Sequence, residues 1–452
     1  MPSKPSLSQA FANALCDNKH FSPESIDKAT YCLLDFLTCV FSTQQYPWVK
    51  QAQQVALQNS ATQTEGAALI GTPMKVSPQD AAFANAVAGH SLVRDDMHLG
   101  SVSHLGVVVV PAALALASRY PVSGRQFLKA LVCGYEAGGK LGAMLMDVDT
   151  ARKFRPTGMI GAFAAAATCA RLQALDSTQT GNALGFAANY ITGLNEWAAW
   201  GSDDMYFHPG IAARNGMTAA LLASAGATAA TGSLDGNAGL FAALGKSLPD
   251  PLNLPFTTDT EIQRVFFKQV PACNYAQTAA QVARIARQEL AGDPDQVTQI
   301  SIRVPHAAAH YPGCDYPGPF SSILQARMSI HFNIASALIN GDFHDSHFRD
   351  FANTAVANLA QKVTVEIDEN LTAAYPALQG AAITVTGVSG ESVSSTLDDV
   401  EAATSKEVET RFSEAVSKAI GKDKAKTLLA TVLALDANSA VEELLALLDM
   451  PP

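Results

Sequence analysis

Apolar positions along the chain recur mostly at helical spacing. Ile26, Ala29, Leu33, Phe36 and Leu37 share one face of a segment that opens with Ser22-Pro23-Glu24-Ser25. That opening supplies a capping hydroxyl and then a proline in the first turn. Helix is expected over 6–42, with a further helix over 49–58. Residues 67–71 form a short apolar segment ending in a turn, and Ser77-Pro78 caps a helix over 81–90. An alanine-rich helical pattern covers 111–145. The stretches 157–175, 182–195 and 211–231 are uniformly small and apolar. Such helices are buried on most sides and can pack backbone to backbone. Two polar segments between them, 147–156 and 201–210, read as loops.

The pattern changes near residue 250, where Asp250-Pro251-Leu252-Asn253-Leu254-Pro255 reads as a linker. A helix over 276–290 follows, then alternation at Ile300, Ile302 and Val304 that predicts a strand over 297–304. Further strands are expected at 363–367 and 382–386, behind a helix over 329–339. Residues 404–448 return to helix with heptad-like leucines. The expected fold class is mostly α, with a large all-α domain and a smaller α+β unit. A chain of 452 residues is long enough for two cores.

Composition narrows the partners. The net charge of −11 argues against nucleic acid and against an anionic membrane surface. A local cationic pocket for a small anion remains compatible with it. The seven cysteines are scattered without a CxxC pair, which fits a reducing cytoplasm and gives no zinc signature. The N-terminal residues show no secretory pattern, and no apolar run reaches the roughly 18 residues a membrane span needs.

Four polar islands interrupt the apolar sequence. The first holds His90, Arg94, Asp95, Asp96, His98 and His104, directly before the apolar run 107–117, which Pro111 interrupts. Charges entering a buried segment need partners, so this cluster is a site candidate. The second, Arg152 to Gly158, sets Arg155 beside a turn and a helix start, a combination that suits a carboxylate. The third runs from Asp203 to Gly210 and contains His208. The fourth joins Lys268, Cys273, Tyr275 and Gln277, with Lys268 flanked by Phe266, Phe267 and Val270. Desolvation there lowers a lysine pKa and makes Lys268 a candidate base.

Asp95, His98 and His104 are the only metal-ligand candidates, and their spacing matches no established pattern. No dinucleotide fingerprint, P-loop or GxSxG elbow is present. The expectation is acid–base chemistry with no cofactor and no metal. A base with nearby cations can remove a proton next to a carboxylate and stabilise the enediolate that forms.

The islands together resemble the MmgE/PrpD family, over nearly the whole chain. The resemblance rests on His90, then Val93-Arg94-Asp95-Asp96, His104, and Val109-Val110-Pro111-Ala112-Ala113-Leu114. It continues through Arg155-Pro156-Thr157-Gly158, through Met205 to Gly216 with His208 and Gly210, through Leu234-Asp235-Gly236 with Gly239, and through Lys268, Pro271 and Cys273. The chain departs from the family pattern at four positions. Val93 stands for an aspartate, Met97 for a threonine, Arg155 for a histidine and Met205 for a lysine.

The resemblance implies an all-α domain over 1–266, an α+β lid over 267–403, and C-terminal helices over 404–452 returning to the α domain. It also implies a homodimer with its site in the cleft. Family activities include 2-methylcitrate dehydratase, cis-aconitate decarboxylase and iminodisuccinate epimerase. The expected protein is a cytoplasmic lyase, dehydratase- or decarboxylase-like, acting on a small di- or tricarboxylate. Epimerase or racemase chemistry, and a catalytically inactive binding protein, are the alternatives. The expected catalytic residues are Lys268, His104, Asp95 and Asp96. Substrate contacts are expected from Arg94, Arg155, His98, His208, Cys273 and Gln277. These side chains must converge between a helical body and a mixed cap for the chemistry to have a location.

Overall fold

Small side chains set the geometry of the helical body. The computed structural model describes residues 5–17, 21–59, 66–248, 260–290, 292–437 and 441–449. Helix Pro156–Leu172 is packed between helices Gly124–Leu145 and Asp204–Ser224. A Cβ on Gly216 would collide with the Ala162 carbonyl oxygen, and one on Gly134 with Thr168 Oγ1. Glycine at these crossings lets the backbones approach closely. The described part of the chain is mostly helical, with a smaller α+β region.

The expected caps form. Ser22 Oγ accepts from the Ser25 N–H at the start of helix Pro23–Ser42, and Ser77 Oγ accepts from the Asp80 N–H before Pro78–His90. Three readings are corrected. The helix expected from residue 111 runs Gly106–Ala117, with Pro111 in its interior and every residue buried. Burial on all sides outweighs the one lost backbone bond. Residues 147–156 are not all loop, because Asp147 caps a short helix, Val148–Lys153. The polar stretch 201–210 is mostly helix, since Asp204–Ser224 begins inside it and passes through Pro209. The linker residues 250–255 lie outside the described residues.

The mixed region is a four-stranded sheet in the order Val363–Ile367, Val297–Val304, Ala381–Gly387, Ser392–Leu397. The first pair is parallel and the other two are antiparallel. Helix Gln277–Glu289 packs on this sheet and also on helix Ile330–Asn340. Ile300, Ile302, Ile383 and Val385 are buried, while Thr384 and Thr386 form hydroxyl pairs with Ser394 and Ser392. This is the one-face-in, one-face-out pattern of an antiparallel sheet.

Two contacts position the site. Strand Met97–His98 pairs antiparallel with Val265–Phe266, which draws the first polar island onto the segment leading to Lys268. Helix Ser405–Ile420 lies along Pro23–Ser42 with Val408, Phe412 and Val416 buried, and its Arg411 donates to the Lys268 carbonyl at 3.0 Å.

Candidate active site

Helix Pro78–His90 ends at His90, and the chain then turns sharply enough that Val93 adopts φ +56°. The turn brings Asp95 back under the helix end. Asp95 Oδ2 lies 2.8 Å from His90 Nδ1 and 3.2 Å from His104 Nδ1. His104 Nδ1 also faces the Asp96 carbonyl oxygen at 2.9 Å. A carbonyl only accepts, so Nδ1 carries the proton and Nε2 the lone pair. His90 reaches the same tautomer from its other side, because Arg155 donates to His90 Nε2 at 3.0 Å. One carboxylate therefore orients two imidazoles.

Electrostatics follow from burial and these partners. Burial pushes the Asp95 carboxyl up, but the two imidazoles outweigh it and hold it below the ordinary carboxylate range. Burial drives His104 well below an ordinary histidine, against the pull of Asp95 and with help from Lys268, His90 and Arg155. His90 is lowered for the same first reason. Burial also lowers Lys268, opposed by Asp95. Both rings are neutral at pH 7, so His104 rests as a base.

Beside this cluster lies a small cavity of about 20 Å³, room for about one water. The helical part contributes Val93, Met97, Val102, His104, Arg155 and Met205. The mixed part contributes Cys273, Asn274, Tyr275, Tyr311 and Met328. Arg155 is buried, and its Nε has no hydrogen-bond partner among the described residues. Asn274 Oδ1 is unpartnered in the same way. All four positions at which the chain departs from the family pattern lie on this wall.

The expected site residues divide. Asp95, His104, Arg155 and Lys268 are all buried, and Asp95 touches His104 directly. Cys273 lines the cavity, its Sγ 3.7 Å from Cys314 Sγ. Burial raises that thiol, but the Cys314 contact, a backbone bond and Lys268 bring it down to about 7. Lys268 Nζ donates to the Ala272 carbonyl at 2.8 Å and stands behind the wall. Asp96 accepts from the Gly106 N–H and from the Tyr135 hydroxyl, so it fixes the start of helix Gly106–Ala117. Burial raises it to about 6.

Gln277 clasps the turn before it, accepting from the Val270 N–H and donating to the Val270 and Ala272 carbonyls. His98 turns away to Ser101 and Glu261, joining a buried ion cluster with Lys140 and Glu136. Half-buried Arg94 and His208 do not line the cavity.

His90, Asp95 and His104 each offer a ligand atom, all within 4.8 Å of one another. His90 thus takes the place in the cluster that the sequence reading gave to His98. In the tautomers above, the two Nδ1 atoms that face Asp95 both carry protons. Arg155 donates to His90, and a further cation there would face its charge. The geometry therefore serves proton sharing more directly than metal binding.

Sequence reasoning missed Val102, Tyr311 and Met328 as wall residues. None carries a signal in the linear chain, because each reaches the cavity only through tertiary packing. No helix among the described residues is long and apolar enough to cross a membrane.

Comparison with known proteins gives two family matches. The MmgE/PrpD N-terminal domain matches residues 9–250 and the MmgE/PrpD C-terminal domain matches residues 270–449. Human cis-aconitate decarboxylase is 27% identical over 385 residues, covering 80% of this chain and 76% of its own. A cis-aconitate decarboxylase-like protein of Aspergillus oryzae is 31% identical over 210 residues, 44% of this chain and 43% of its own. Cis-aconitate decarboxylase of Aspergillus terreus is 28% identical over 223 residues, 48% of this chain and 45% of its own. The match thus spans less than half the length of the two Aspergillus proteins.

Proposed function

The chain belongs to the MmgE/PrpD family, and from that premise we propose a cofactor-independent lyase that moves a proton at a carbon next to a carboxylate of a small di- or tricarboxylic acid. One observation carries this reading. His104 presents an unprotonated Nε2 beside a cavity that also receives the Arg155 guanidinium. Arg155 anchors the carboxylate that becomes the enediolate, and a fixed positive charge stabilises that developing anion. The entering carboxylate raises the pKa of His104, which then takes up a proton and holds it at Nε2. Asp95 orients His104 and balances its positive charge.

A decarboxylase-like course fits the surroundings better than dehydration. The bond to the departing carboxylate breaks and CO2 leaves. Its electron pair stays on the carbon skeleton, spread into the anchored carboxylate, and the His104 proton closes the reaction. Thioether and branched aliphatic walls place the departing carboxylate in an apolar setting, which favours loss of its charge as CO2. The named activity of the relatives points the same way. Lys268 is the second proton carrier in this reading and reaches the cavity once the turn 269–273 moves. The division at 266/267 and 403/404, a homodimer and a cytoplasmic location belong to the same proposal; the dimer rests on the family resemblance and the location on the scattered cysteines.

The test is a panel of di- and tricarboxylates read by mass spectrometry for loss of CO2, loss of water and uptake of deuterium. Mass loss of CO2 or water on at least one acid is expected, with at least a 100-fold drop in folded His104→Ala and Lys268→Ala proteins. Deuterium uptake without mass loss points to an epimerase. Full activity in both variants removes the assignment of the proton carriers.

A further inference from the structure

The cavity wall carries one cation and many apolar groups. Among the described residues, Arg155 is the only lysine or arginine that lines it. Lys268 is turned to the Ala272 carbonyl, and Arg411 is occupied by the Lys268 carbonyl. The other face is built from Val93, Met97, Val102, Met205 and Met328. Each carboxylate of a bound acid must leave water, and without a cation that step is costly. Arg155 keeps Nε and Nη1 open among the described residues, since only its Nη2 is engaged, with His90 Nε2 and Met205 Sδ. A guanidinium so placed satisfies a single carboxylate. A decarboxylation substrate tolerates a second one against the apolar wall, because that group is lost. While Lys268 is held on the Ala272 carbonyl, a third meets no second cation.

The backbone gives an independent pointer to the same wall. Val93 has φ +56° and Val102 φ +50°. That region disfavours β-branched side chains and suits asparagine, aspartate or glycine. Two valines held there, both facing one cavity, are strain located at a site. An apolar side chain persists at position 93 where a polar one would relax the chain. The selecting property of the wall is therefore its apolar surface.

We infer that the substrate is a dicarboxylate with an alkyl or aryl substituent where a tricarboxylate carries its third carboxyl group. Arg155 anchors one carboxylate, and Val93, Met97 and Met205 receive the substituent. This rests on the lyase reading for the identity of the reacting end, but the binding preference stands apart from turnover.

The experiment compares cis-aconitate with 3-methyl- and 3-phenyl-pent-2-enedioate of the same double-bond geometry. In these a methyl or phenyl group replaces the central carboxylate. Binding is measured by calorimetry and CO2 loss by mass spectrometry, on the full chain. At least tenfold tighter binding of one substituted dicarboxylate over cis-aconitate is expected. Equal or tighter binding of cis-aconitate overturns the inference, as does failure of all three to bind. Tight binding of a substituted acid without CO2 loss leaves the inference standing and sinks the decarboxylase-like course. Preferred turnover of cis-aconitate does the reverse. Met205→Lys adds a cation to the wall and should shrink the preference at least tenfold, and Met97→Lys is the second variant if the first does not fold. A folded variant of either kind with an unchanged preference removes that residue from the selecting wall.

Discussion

Three aspartates share one buried patch, and their charges differ because their partners differ. Asp95 sits between two imidazoles and is held ionised. Asp96 accepts from Gly106 and Tyr135 and is raised by burial to about 6. Asp35, buried on helix Pro23–Ser42, is raised by burial and then by Asp96 to about 7. A carboxyl raised on folding stabilises the protein fully below its unfolded pKa near 3.8. That stability is lost as pH rises through the folded value, at roughly 1.4 kcal/mol per pH unit. Asp35→Asn keeps the shape and removes the titration. Chemical denaturation from pH 4 to 8 should show the variant gaining on the wild type by about 4 kcal/mol between pH 4 and 7, then holding level. A difference that stays constant with pH refutes the buried, raised Asp35. The polar islands were legible residue by residue, because charged groups before an apolar run must find partners. Which histidine pairs with Asp95 was not legible. His98 is drawn to Glu261 across 163 positions of sequence, and no local spacing encodes that.

Helix starts were legible where chemistry is local. Ser22 and Ser77 each bond an N–H three residues ahead, and the strands 297–304 and 363–367 have the bounds that alternation gave. Strand Ser392–Leu397 escaped because serine and threonine hide its alternation, which becomes visible only as hydroxyl pairs with its neighbour. Pro111 and Pro209 misled the reading because packing decides at this scale. Helix Pro156–Leu172 packs against several other elements, chiefly Gly124–Leu145 and Asp204–Ser224. The fit at those crossings depends on glycine. Gly216→Ala sets its Cβ against the Ala162 carbonyl and the Ala165 methyl, and backbone does not yield cheaply. A loss of about 1–3 kcal/mol in denaturant unfolding is expected, with the slope unchanged. A neutral result would mean that the two helices are less tightly seated than this structure has them.

The cavity joins residues from both family-matched halves, six from 9–250 and five from 270–449. Its volume of about 20 Å³ falls far short of the roughly 300 Å³ or more of an ordinary small-molecule pocket. A di- or tricarboxylate can enter only if the halves part. The parts facing the cavity from the C-terminal side are Cys273 at the end of the turn 269–273, the single turn Asn274–Ala276 before helix Gln277–Glu289, Tyr311 and Met328. The sheet behind them is not in the path of opening. Hydrogen exchange should therefore separate the two. Without ligand, amides in 269–276 and 311–316 should exchange at least tenfold faster than those of strand Val297–Val304. A bound acid should slow the first group at least tenfold and leave the strand unchanged, because ligand stabilises the closed state by mass action. If a ligand that binds by calorimetry gives the two mobile-side segments no protection, the acid does not lie between the halves, and the site must be sought on another face of the molecule.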